Sequence, residues 1–195
     1  MPDRLRFRTA RTPTARGAMT DPGGRQMRFF LLCGLAFSGK TTLARSVAER
    51  LSLAYVSLDD INVERGLRPG GEGLPVEEWE RSRAIAESRL AASFTSGRGA
   101  VLDDTGCFRW LRDCYREHAL RYDVPTAVIF VDVPLDVIRA RIAANAREGT
   151  RTSITDAVFA RHVAEFEAPQ PDEPTLRFSS SDEIEDWIAA NLMTG

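Results

Sequence analysis

Of the 26 lysine and arginine side chains in this sequence, 25 are arginine and one is lysine. The lysine is Lys40, inside Gly34-Leu35-Ala36-Phe37-Ser38-Gly39-Lys40-Thr41. A compact ammonium on a flexible stem reaches between two anionic groups where a planar guanidinium fork is the wrong shape. The segment fits G-x-x-x-x-G-K-[S/T], a loop that cradles phosphates on its backbone N–H groups and on the helix that follows. Gly34, Phe37, Ser38, Gly39, Lys40, Thr41 and Thr42 are therefore expected to bind a nucleotide. Lys40 would reach its β/γ-phosphates and the Thr41 hydroxyl would ligate Mg²⁺. Such a loop needs a buried strand before it and a helix after it. Met27–Cys33 reads as that strand and Thr42–Leu51 as that helix.

The same alternation continues. Leu53–Leu58 is a second strand ending at Asp59-Asp60, followed by a glycine-rich loop over residues 66–73. Pro75 opens a long helix to about Ser96, with Trp79, Ile85 and Leu90 among its apolar positions. Ala100–Leu102 is a short strand ending in Asp103-Asp104-Thr105, and a helix covers roughly Trp110–Tyr122. Ala127–Val131 is the next strand. Pro134 starts a helix to about Ala146, and Ile154–Phe166 forms another. Thr175–Phe178 is a last strand, and Asp182 is expected to cap a final helix to Leu192. Strands that are apolar throughout and alternate with helices imply a parallel sheet covered on both faces. The expected fold is α/β, a three-layer P-loop NTPase sandwich with a roughly five-stranded parallel sheet and a short helical lid. Its ligands would bind beyond the carboxyl ends of the strands.

Charge is unevenly spread. Residues 1–28 carry seven arginines against Asp3 and Asp21, whereas the rest holds 19 basic and 26 acidic side chains. Residues 1–26, rich in Arg, Thr, Pro and Gly, are expected to be a disordered basic tail, and residues 27–195 one domain. An acidic body disfavours a long polyanion as the main partner. Cys33, Cys107 and Cys114 are odd in number and lack C-x-x-C spacing, which fits a reducing cytosol and argues against a disulfide framework or a zinc site. No apolar run reaches the length of a membrane span. His118 is expected on an exposed helix face and His162 beside the last lid helix, neither with a metal partner; the three tryptophans are expected in the core.

Three strands would deliver their ends to one sheet edge: the phosphate loop, Asp59/Asp60 and Asp103/Asp104. An Asp ending a strand downstream of a phosphate loop suits a carboxylate that holds Mg²⁺, and Asp103 and Asp104 share that candidacy. An Asp on the neighbouring strand, with Asp59 ahead of Asp60, suits acceptance of a proton from an attacking hydroxyl. Arg139, Arg141, Arg147 and Arg151 crowd a segment broken by Gly149, which suits a clamp on phosphate. Guanine-reading N-K-x-D is impossible in a chain whose only lysine is Lys40. The water-activating Glu that usually follows the strand-three Asp of motor-like ATPases is also missing. Transfer to a hydroxyl is the better reading.

Together these residues resemble the small P-loop kinases of the polynucleotide 5′-hydroxyl kinase, zeta-toxin and chloramphenicol phosphotransferase group, over about Met27 to Phe166. The resemblance rests on the phosphate loop, Asp59-Asp60, Asp104-Thr105-Gly106 with Arg109 and Arg112, Asp132-Val133-Pro134, and the arginines from Arg141 to Arg151. It implies Asp59 as general base, and Asp60, Asp104, Arg109 and Arg112 at the acceptor. It also implies a lid arginine, Arg147 being the best match, on the transferring phosphoryl, with Arg141 and Arg151 on the nucleotide. Thr41 and Asp103 would hold the metal. Where the family often has Asn after D-T, this chain has Gly106. The expectation is a cytoplasmic ATP- and Mg²⁺-dependent kinase, monomeric or dimeric, acting on a small hydroxyl compound, with a nucleic-acid 5′ end open but not favoured. The rival is an ATPase module that switches a protein partner.

Overall fold

The computed structural model describes residues 28–70, 73–149, 152 and 154–193. The elements run β1 (Phe29–Cys33), α1 (Lys40–Arg50), β2 (Ala54–Ser57), α2 (Leu58–Glu64), α3 (Val76–Thr95) and β3 (Ala100–Asp103). They continue α4 (Arg109–Leu120), β4 (Thr126–Asp132), α5 (Leu135–Glu148), α6 (Asp156–Glu165), β5 (Thr175–Ser179) and α7 (Ile184–Leu192). All five strands are parallel, in the order β2-β3-β1-β4-β5.

β1 is central and every residue of it is buried. Its pleat splits Phe-Phe-Leu-Leu between the two faces. Phe30 and Leu32 pack with Leu43 and Val47 of α1, Ile138 of α5, Phe159 of α6 and Trp187 of α7. Phe29 and Leu31 pack with Ile61 of α2, Leu90 and Phe94 of α3 and Tyr115 of α4. Each such large apolar side chain contributes about 1.5–3 kcal/mol on burial, which is why the strand contains no polar residue. The three layers are thus two helical layers on a sheet with two apolar faces.

Some local expectations change. Asp59 and Asp60 do not end a strand; they lie in the first turn of α2, a helix with no clear signal in the sequence. Ser57 caps it, its Oγ accepting the Asp60 N–H at 3.1 Å, so a short polar-looking stretch becomes helical as soon as Leu58 and Ile61 find the core. Asp182 does not cap α7: its carboxylate accepts the Ser179 N–H at 2.7 Å and closes the turn after β5. Trp187 is core, but Trp110 is 52% exposed beneath the Arg83 guanidinium, 5.2 Å from its ring centroid. The 1–26 tail, Met27 and Arg151 lie outside the described residues. Among the described residues no helix is long and apolar enough to cross a membrane.

His118 is buried, not exposed, against Tyr122, and its Nε2 has no hydrogen-bond partner among the described residues. Burial holds its pKa below the usual 6.5. The unfolded chain therefore binds a proton first, so this contribution is present above pH 6.5 and is lost as the pH falls toward the lower folded value. His118→Phe should flatten the acid limb of a plot of melting temperature against pH; an unchanged limb would place that pH dependence elsewhere.

Candidate active site

The register of the sheet aligns the strand ends that carry the acids and the loop. Ser57 of β2 pairs with Asp103 of β3, and Leu31 of β1 with Leu102. Beyond Cys33 the chain turns through Gly34-Leu35-Ala36-Phe37-Ser38-Gly39 and enters α1 at Lys40. Phe37 and Gly39 both have positive φ, 63° and 109°, which turns the loop back on itself ahead of the helix. Gly34 has no alternative: a Cβ there would lie 2.8 Å from the Val131 carbonyl oxygen of β4. The left-handed Gly39 precedes a helix N-terminus that carries no side-chain cap and no acid in its first turn. Its free N–H groups are left for an anion.

Lys40 is 8% exposed, and its Nζ donates to the Leu35 carbonyl at 2.8 Å across the loop. Burial lowers its pKa, and the negative charges of Asp103, Asp104 and Asp59 oppose that shift. All three carboxylates thus lie within electrostatic reach of the one ammonium. Asp103 is buried, and its Oδ2 accepts the Tyr55 hydroxyl at 2.7 Å. Asp104 is half-buried, with Oδ1 taken by the Thr105 N–H at 2.6 Å; burial raises its pKa. The loop carrying Asp104 is docked on the phosphate loop through Gly34 N–H to the Thr105 carbonyl at 2.9 Å.

Gly106 explains the departure from the D-T-Asn pattern. It sits at φ 52°, and a Cβ would come 2.6 Å from the Leu32 carbonyl oxygen. This chain packs the loop so tightly on β1 that no side chain fits there.

Asp59, expected to act on the acceptor, is exposed, and its Oδ1 accepts the Gly70 N–H at 2.7 Å. Asp60 turns instead to Arg45, at 3.4 Å, whose guanidinium lies 4.5 Å above the Tyr55 ring. Arg141, expected on the nucleotide, lies directly on the Gly34–Thr41 loop, donating to the carbonyls of Ser38 at 2.6 Å and Phe37 at 3.1 Å. A cleft of about 470 Å³ opens beside it, lined among others by Ser38, Thr42, Asn145, Phe178 and Glu183. Arg147 is exposed in the last turn of α5.

Two arginines expected at the acceptor are engaged within the protein. Arg112 is fully buried and donates to Glu173, Gly106 and Glu167. Arg109 is tied to Asp172 and Asp113. Sequence reasoning misses the acids Glu173 and Asp172 that hold them, because these lie some 60 residues downstream with no periodic signal linking them. Thr41 and Asp103 offer one hydroxyl and one carboxylate, and among the described residues no group of three or more acidic, histidine or cysteine ligands forms a cage. A hydroxyl and a carboxylate are oxygen donors of the kind that would suit Mg²⁺, an ion that keeps its waters and takes most other ligands from substrate phosphates. When bound it neutralises charge on those phosphates.

The family model described as an AAA domain matches residues 29–169. A curated relative, gluconokinase of Gluconobacter oxydans, is 27% identical over 158 residues, covering 80% of this chain and 84% of that protein. The shikimate kinase of Nitratidesulfovibrio vulgaris is 28% identical over 143 residues, covering 73% and 78%. A solved sugar kinase from Janibacter sp. HTCC2649 shares the fold, with TM-score 0.62 and 22% identity over 86% of this chain and 93% of that one. The narrower placement beside polynucleotide kinases is not carried by these matches, whose named activities are small-molecule kinases. The named activities of these relatives support an ATP-dependent kinase by class, and the chain belongs to the AAA domain family of its family match.

Proposed function

We propose that this kinase transfers the γ-phosphoryl group of ATP to a hydroxyl of a small polyhydroxy carboxylic acid. The observation that carries the reading is the convergence of Lys40, Asp103, Asp104 and Asp59 at the carboxyl edge of one parallel sheet. The two curated relatives named above point to the acceptor class, since gluconate and shikimate are both hydroxyl-bearing carboxylates. The body's acidity disfavours a nucleic-acid 5′ end.

In this reading Asp59 takes the acceptor proton, Asp104 orients the acceptor hydroxyl, and Lys40 with Arg141 holds the phosphates. Thr41 and Asp103 hold Mg²⁺, and Asp60 acts on the acceptor side through Arg45. Chemistry then comes from positioning and electrostatics, with no covalent step on the protein. The test is ATP-dependent phosphorylation of D-gluconate, shikimate and a panel of other hydroxy acids, nucleosides and 5′-hydroxyl oligonucleotides. ATP hydrolysis without acceptor serves as the control. A phosphorylated hydroxy acid is the expected product. Hydrolysis alone, with no phosphorylated product from any acceptor, would favour the switch module.

The two lid arginines should separate. Arg141→Ala is expected to weaken ADP binding by about tenfold, because it removes a charge-assisted contact from the loop itself. Arg147→Ala should lower turnover more than nucleotide affinity, as a clamp on the transferring group acts in the transition state. Unaltered turnover in Arg147→Ala would pass that role to Arg141 or Arg151.

A further inference from the structure

Arg112 is an arginine at 0% exposure, and its partner Glu173 is equally buried. Its Nε and Nη2 grip the two Glu173 oxygens at 2.7 and 2.8 Å. The remaining arm, Nη1, spans two backbone segments, donating to the Gly106 carbonyl at 2.7 Å and the Glu167 carbonyl at 2.8 Å. The Cys33 thiol, on the last residue of β1, donates to the same Gly106 carbonyl at 3.3 Å. Around this core the two segments are laced again. Glu167 N–H donates to the Cys107 carbonyl at 2.8 Å, Arg109 N–H to the Glu167 carboxylate at 2.6 Å, and the Arg109 guanidinium pairs with Asp172.

Taking two charges out of water is costly, and a well-packed apolar pair often serves stability as well. What an apolar pair cannot do is hold two carbonyls from two segments at fixed distance. One segment, 106–112, directly follows Asp104 and Thr105; the other, 167–173, leads out of lid helix α6 into β5. We infer that the buried Arg112–Glu173 pair is a positioning device, which sets the Asp104–Thr105 loop against the phosphate loop by anchoring it to the segment leaving α6. Neither residue touches substrate; both act through Asp104, and so rest on the acceptor role proposed for Asp104.

The test uses Cys107, which is half-buried in the anchored loop, as a reporter. Cys33 is at 0% exposure with its thiol pushed up to about 12 and stays silent. Cys114 is removed as Cys114→Ser in the full-length chain. In that background the paired change Arg112→Met with Glu173→Leu replaces the ion pair by apolar volume. Expected are a melting temperature close to the parent, ADP affinity within about threefold, and Cys107 alkylation by iodoacetamide at least about tenfold faster. The Gly34 and Glu167 amides, donors to Thr105 and Cys107, should lose hydrogen-exchange protection. Turnover on the hydroxy acid that the parent phosphorylates should fall by about 10²-fold with the KM for ATP unchanged. If the parent phosphorylates none, the functional reading fails, while alkylation and exchange still decide this one. Arg112→Lys keeps the charge opposite Glu173 but cannot span both carbonyls. It should loosen Cys107 to a lesser degree, and it decides the matter if the paired variant does not fold. A folded variant with unaltered Cys107 reactivity, exchange and turnover would reduce the pair to a structural role.

Discussion

Lys40→Met is expected to lower turnover by about 10²–10³-fold, the usual cost of removing one preorganised charge from a transition state, with the fold intact. The side chain is enclosed, 8% exposed, and its ammonium is held by the Leu35 carbonyl at 2.8 Å inside the loop. Methionine fills nearly the same volume without the desolvation that lowers the lysine's pKa, so melting should not suffer. Lys40→Arg is the sharper variant. It keeps the charge, but a planar fork is the wrong shape to replace the compact ammonium that donates to the Leu35 carbonyl, and rescue should be poor. Near-normal turnover in Lys40→Arg, measured beside ADP affinity, would contradict the reason for a single lysine among 25 arginines.

Asp59→Asn should cut turnover by about 10²–10⁴-fold, the span of a general base, with ATP affinity held within a few-fold. The isosteric amide can still accept the Gly70 N–H, so the loop over Asp59 stays in place and only the proton acceptor is lost. Loss of Mg²⁺-ATP binding would instead make Asp59 a metal-shell residue. Asp104→Asn should be at least as damaging; if it is silent, the role passes to Asp103. Because burial raises the Asp104 pKa, the ionised form is lost as the pH falls through a value above the usual 3.8. Turnover should decline on that acid limb, and Asp104→Asn should remove it.

Much of this site is legible in the amino-acid sequence. The loop Gly34–Thr41 is a local motif whose chemistry follows from residue type and spacing. The apolar strands announce a sheet covered on both faces. β1, α3, β3, α4, β4 and β5 lie within a few residues of their expected bounds because each is held by a local apolar pattern. Helix α2 is hidden for the opposite reason. Seven residues with three acids have no period long enough to read, and the helix exists because Ser57 caps it and Leu58 and Ile61 are buried.

The phosphate loop, the two-faced parallel sheet and the set of acids near its edge are therefore properties of the chain's local pattern. Which arginine does what is a property of the folded molecule. A guanidinium carries the same five donors everywhere, and its role depends on which carboxylates and carbonyls come within about 3 Å. Arg141 meets the carbonyls of the loop, whereas Arg112 meets Glu173, Gly106 and Glu167 inside the body. Those partners are brought together by long-range packing of β1, α4 and the segment before β5, which no local spacing encodes. The tight approach of Gly106 to β1 is of the same kind. It is one glycine among 14 in the sequence, and a steric necessity only once the Leu32 carbonyl oxygen lies 2.6 Å from where its Cβ would stand.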